Sequence, residues 1–224
     1  AITVYTLGWA LLRSPRRSAR GGSHASKAPP QAPQTATADA RVETSAADET
    51  PPDEWAWAAE ARAASRQALS GYWRCASTEN SEALLAACRA PRFAIWLARK
   101  GGFGAGSVVE KLAVDMRTGA LHLLQSRPAA KVRYVLGMRG VGEKQRQYDL
   151  LMGRTEPVVT SWWEGGAAVY ATCVPTAPDL VITSWGWVDT CGRRQVRNCL
   201  ARRVGGRAGA LEHILVQSKV FERI

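Results

Sequence analysis

The chain has 224 residues and a formal net charge of +11. Its length supports a sizeable core in one or two domains, and its charge favours anionic partners: nucleic acid, an anionic membrane surface, acidic proteins or fatty-acid-like ligands. The lysines and arginines are spread along the chain without a basic run, which argues against nucleic acid.

The five cysteines, Cys75, Cys88, Cys173, Cys191 and Cys199, form no CxxC pair, and no histidine stands at zinc-finger spacing. Neither a metal nor another cofactor is therefore expected, and the thiols read as free, in a reducing compartment. Nine tryptophans against three phenylalanines is an unusual ratio. Trp suits cores, interfaces and membrane boundaries alike.

Residues 1–12 are apolar, too few to span a bilayer, which takes roughly 20 residues. Arg13, Arg16, Arg17 and Arg20 follow in a Ser- and Gly-rich setting. This acid-free stretch has the character of an organelle-targeting region, plastid or mitochondrial, or of a basic arm. Residues 21–54 are rich in Pro, Ala, Ser and Thr, become acidic toward the end (Glu43, Asp48, Glu49, Asp53, Glu54), and lack the apolar content to fold alone. Residues 1–54 thus read as an irregular arm, and 55–69, Ala-rich with Trp55 and Trp57 at its start, as a short docking helix.

A folded body is expected over 70–224. Residues 71–76 form a short strand carrying a Gly-x-Trp. Ser77 or Thr78 caps a helix whose Leu84, Leu85 and Cys88 share an apolar face. Pro91 opens a second short helix over 92–100, ended by Gly101, Gly102, Gly104 and Gly106. Strands are expected at 108–116, 120–126, 131–138, 145–152, 157–163, 167–174, 180–188, 195–204 and 211–221, with turn signals between them. With the first strand this is roughly ten, a meander that normally closes into a barrel.

In the last strand successive side chains alternate. Leu215, Gln217, Lys219 and Phe221 share one face, and His213 falls on it by the same count. A cation between apolar residues on an interior face is costly unless an anion meets it. Lys219 has three ways out: an anionic ligand, water at the barrel mouth, or an internal carboxylate such as Glu143 or Asp149.

Three stretches carry a family resemblance. GYWRCASTENSEALLAACRAPRFAIWLARKG resembles the opening of the intracellular lipid-binding proteins, the fatty-acid- and retinoid-binding barrels. GVGEKQRQYDLLMGRTEPVVTSWWEGGAAVYATC is similar to their middle, and VQSKVFER to their terminal strand. The match covers about residues 68–224. It implies a mainly β fold, an antiparallel ten-stranded up-and-down barrel capped by a helix–turn–helix. It also implies a fatty acid or similar amphiphile inside. In the family an Arg-x-Tyr on the last strand, with a second Arg from an earlier strand, meets the ligand carboxylate. Here those positions match Lys219 and Phe221, with Arg197 as the helper. Gln217 and His213 stand on the same face. Lys keeps the charge without the planar fork, and Phe lacks the hydroxyl.

A second reading makes the barrel a scaffold and residues 1–60 a docking arm, on a large organelle membrane complex, respiratory or photosynthetic. An enzyme is disfavoured. His24 lies in the arm, His122 is a strand residue, and the GGFGAG at 101–106 follows a helix and lacks the Lys-Ser/Thr of a phosphate loop.

Overall fold

The structure, a computed structural model, describes residues 55–127, 130–138, 140–149, 154–174, 177–204 and 210–224. The arm expected over 1–54 lies outside the described residues. The body is the expected meander. Its strands are β1 (Gly71–Glu79), β2 (Val109–Val114), β3 (Leu121–Arg127), β4 (Ala130–Leu136), β5 (Gly140–Asp149), β6 (Arg154–Glu164), β7 (Ala167–Val174), β8 (Ala177–Val188), β9 (Arg194–Arg203) and β10 (Leu211–Arg223).

They form one ten-stranded sheet in the order β4-β3-β2-β1-β10-β9-β8-β7-β6-β5. The first strand pairs antiparallel with the last, Cys75 opposite Phe221 and Thr78 opposite Lys219. The two ends of the sheet, β4 and β5, lie against each other. Trp73, Leu112, Leu123, Tyr134, Ala168, Val196 and Phe221 come from strands along the sheet, yet share one buried cluster. Only a sheet rolled into a barrel brings them together.

A second cluster fills the opposite part of the interior. There Leu84 of helix α2 (Ser81–Ala87) and Cys88 at its C-terminal cap pack on Val174, Leu180, Ile182 and Leu200. These α2 residues are the face read from the sequence. Ser77 and Thr78 do not cap α2, because β1 continues through Glu79, with both residues paired to β10. The turn is made instead by Asn80 at φ 55°, ψ 17°, a left-handed conformation that Asn tolerates better than most residues. Pro91 precedes helix α3 (Arg92–Lys100) as expected.

The helix expected over 55–69 is shorter. Helix α1 spans Ala56–Ala63, Ala64 turns extended, and a single 3₁₀ turn covers Gln67–Leu69. A neighbour takes over the helix end. The backbone N–H of Gly166, in the β6–β7 turn, donates to the Arg62 carbonyl at 3.0 Å. A Cβ on Gly166 would stand 1.6 Å from the Ala64 carbonyl oxygen, so the close approach requires glycine there.

α1 lies on the outer face of the barrel. Ala61 packs with Trp162, Val169, Val181, Trp185 and Trp187. Trp57 stacks on Trp187 with centroids 5.4 Å apart and meets Trp185 edge-on at 5.5 Å. The aromatic start of the docking helix is therefore seated on this chain's own wall. No helix among the described residues is long and apolar enough to cross a membrane.

Candidate ligand-binding site

On β10, Gln217, Lys219 and Phe221 are buried at 1%, 5% and 2% exposure. The alternation read from the sequence places these three on the inner face. Directly opposite Phe221 on β9 stands Arg194. Its guanidinium lies over the Phe221 ring at 4.5 Å and donates through Nη1 to Glu110 Oε2 at 2.5 Å. Glu110, on β2, also accepts from Gln125 Nε2 at 2.5 Å. These side chains make a charged layer inside the barrel, beside the buried apolar cluster of Trp73, Leu112, Leu123 and Val196.

Burial pushes the Glu110 carboxyl's pKa up. Arg194, the Gln125 hydrogen bond and Lys219 outweigh it and hold the group below the usual carboxylate value. Burial pushes the Cys75 thiol up, and the nearby Lys219 ammonium partly counters this. Lys219 is thus close enough to act on both Glu110 and Cys75.

A chain of buried amides and hydroxyls runs from this layer to the lid. Ser184 Oγ donates to Asn198 Oδ1 at 2.7 Å, and Asn198 Nδ2 donates to Gln217 Oε1 at 2.5 Å. Gln217 Nε2 then donates to Ser81 Oγ at 2.6 Å. Ser81 is the first residue of α2.

Two of the expected residues are elsewhere. Arg197 pairs with Ser218, and Val196 is the neighbour of Lys219. Arg197 therefore points outward, its guanidinium 5.6 Å from the Trp187 ring. It helps line an open groove of about 440 Å3 with Trp55, Trp57, Asn80 and Val216. His213 is also outside, its ring edge-on to Trp55 at 5.0 Å. The register between β10 and β9 shifts between His213 and Leu215. This bulge at Ile214 reverses the alternation, so His213 leaves the face that Leu215, Gln217 and Lys219 keep. A Lys219 partner at Glu143 or Asp149 would lie outside the described side chains.

The residues that sequence reading missed are Glu110, Gln125 and Arg194. Val108, Glu110 and Leu112 alternate as clearly as the last strand does. Carrying the inward count back through β2 would have found Glu110.

Near this layer, an enclosed space of about 10 Å3 lies among Leu112, Leu123, Ala168, Tyr170, Arg194 and Val196, room for about one water molecule. At the lid, α3 buries Ala94 and Ala98. It turns Phe93 (58% exposed), Trp96 (51%) and Leu97 (37%) outward. Arg99 pairs with Glu82 of α2. Among the described residues no cluster of His, Cys, Asp and Glu is grouped to hold a metal.

The architecture is a ten-stranded antiparallel barrel with short helices between its first two strands. The chain is similar in structure to apo lipid binding protein 8 of Caenorhabditis elegans, with a TM-score of 0.50 and 12% identity over 72% of this chain and 99% of that one. It also matches a mutant of the REP1-NXSQ fatty acid transporter (TM-score 0.45, 15% identity, 70% and 98% covered). A third match is secretory abundant heat soluble protein 4 of Ramazzottius varieornatus (TM-score 0.47, 12% identity, 70% and 96% covered). No family model matches the chain, and no curated protein matches it.

Proposed function

We propose that this chain is a non-enzymatic carrier of a fatty acid or similar anionic amphiphile. The single observation that carries the reading is the buried layer of Lys219, Arg194 and Glu110 within an apolar barrel. Burying charge costs several kcal/mol per ion unless partners compensate, and hydrophobic side chains would fill the same space at no such cost. A headgroup site gives those charges a use.

In this reading the headgroup anion meets Lys219, with Gln217 as a hydrogen-bond donor beside it. Arg194 is held by Glu110 and Phe221, which stiffens the floor of the site. Phe221 supplies a ring for Arg194 where the family has a hydroxyl for the ligand. The space beside this layer admits about one water molecule, so the barrel and its lid must part to admit an acyl chain, which then gains roughly 0.8 kcal/mol per buried methylene. Arg197 and His213, outside the barrel, take no part.

The fold of the neighbours is compatible with this function, and the resemblance read from the sequence points the same way. A docking subunit needs its aromatic arm for a partner. Here Trp57 is spent on Trp185 and Trp187 of the same chain, which favours the carrier.

The test is calorimetric titration of the full-length, delipidated chain with oleate, with native mass spectrometry of the undelipidated protein. A saturable one-to-one complex and a co-purifying lipid are expected. Neither complex nor lipid would end the reading.

A further inference from the structure

We infer that Ser81 and Gln217 couple occupancy of the headgroup site to closure of α2, an inference that rests on the carrier reading. Every hydrogen bond of the buried chain runs one way, from Ser184 through Asn198 and Gln217 to Ser81. Ser81, Ser184, Asn198 and Gln217 are all at most 5% exposed. At such burial each donor and acceptor is costly to leave unpaired, so the chain fixes the orientation of both amides.

Gln217 is the shared node. One N–H of its Nε2 holds Ser81. The second has no partner among the described residues, and Lys219 stands two residues along the same inward face. A carboxylate on Lys219 is placed to accept that second N–H. Held by both of its N–H groups, the amide keeps the one orientation that presents its first N–H to Ser81, so an occupied site holds the Gln217–Ser81 bond in place. By thermodynamic reciprocity, a tighter lid raises headgroup affinity.

Asn80 adds to the same hinge, its Nδ2 donating to the Val216 carbonyl at 3.0 Å. α2 is thereby fastened to β10 through two consecutive residues at the start of its first turn. α3 is fastened differently, through Arg99 and Glu82 at the surface. The first lid helix is the one that senses the interior.

The experiment uses the full-length chain, oleate calorimetry, and hydrogen exchange of the amides of residues 84–88. Ser81→Ala should weaken oleate about fivefold, the worth of one ordinary hydrogen bond, and Ser81→Thr should restore it. In a Gln217→Met background Ser81→Ala should add no further loss. Oleate should slow exchange in α2 of the wild-type chain and not of Ser81→Ala. An equal loss from Ser81→Ala with or without Gln217, or oleate bound with α2 exchange unchanged, overturns the coupling and leaves the carrier reading intact. If the wild-type chain binds no oleate, the carrier reading and the coupling fall together. Exchange in the free protein then decides the remaining claim. Faster exchange in Ser81→Ala upholds the hold of Gln217 on the lid, and unchanged exchange overturns that too.

Discussion

Arg194 and Phe221 face each other across β9 and β10, with the guanidinium 4.5 Å above the ring. The same guanidinium is the ion partner of Glu110 on β2, and both side chains of that pair are 6% exposed. One arginine therefore ties the last strand to the second across the barrel interior. Replacing Phe221 by Leu keeps an apolar side chain, removes the ring beneath the cation, and leaves space unfilled. We expect a loss of about 2 kcal/mol, read as a lower midpoint in urea with an unchanged slope. An unchanged midpoint would mean that the contact adds nothing.

Glu110→Gln leaves the shape and removes the charge that compensates Arg194. Breaking a buried pair by deleting one partner costs about 3–5 kcal/mol. The pH dependence carries a sign. The folded pKa of Glu110 lies below its ordinary value of 4.5, so its contribution is fully present above that value. It is lost as pH falls from there through the folded pKa. Between pH 6 and pH 3 the wild-type chain should lose stability more steeply than Glu110→Gln. Parallel curves would show that Glu110 does not titrate with unfolding.

The seat of α1 depends on a glycine. Gly166→Ala puts a methyl group where the Ala64 carbonyl stands, so α1 must move away from Trp185 and Trp187. Both indoles are fully buried, and neither ring N–H has a hydrogen-bond partner among the described residues. The variant should show red-shifted tryptophan emission and faster acrylamide quenching, with the barrel's far-ultraviolet spectrum retained. Unchanged emission would mean that the turn adjusts and α1 stays in place.

Deleting residues 1–54 should leave a folded barrel with a cooperative thermal transition, because the composition of that segment supports no core. Deleting through residue 66 should cost several degrees, since Trp57 and Ala61 are then lost from the outer cluster and the buried Ala58 goes with them. A molten chain after the shorter deletion would contradict this division.

The strands and the lid were legible because alternation and turn residues act locally. Leu84, Leu85 and Cys88 declared a buried face by spacing alone, and Gln217, Lys219 and Phe221 did so by period two. The misplacement of Arg197 and His213 has one physical origin, which is parity. A strand read outward from Lys219 keeps its faces only until a bulge, so His213, beyond Ile214, came out on the wrong side. Arg197 and Arg194 both lie on β9, and only the register to β10 tells which one faces inward. The destination of α1 was not legible. An Ala-rich helix with two leading tryptophans states that it packs, and not on what; the long-range contact with the β6–β7 turn decides it.

If the cation at Lys219 receives a headgroup, removing it must discriminate between a charged and a neutral ligand. The direct measurement is calorimetry on full-length Lys219→Met with oleate and with oleyl alcohol, alongside the wild-type chain, with thermal melts to confirm folding. The substitution should weaken oleate roughly tenfold or more, the cost of losing a charge-assisted hydrogen bond, and change oleyl alcohol little. Equal losses for the two ligands, in a variant that melts cooperatively, would contradict it and make the buried charges a structural feature alone.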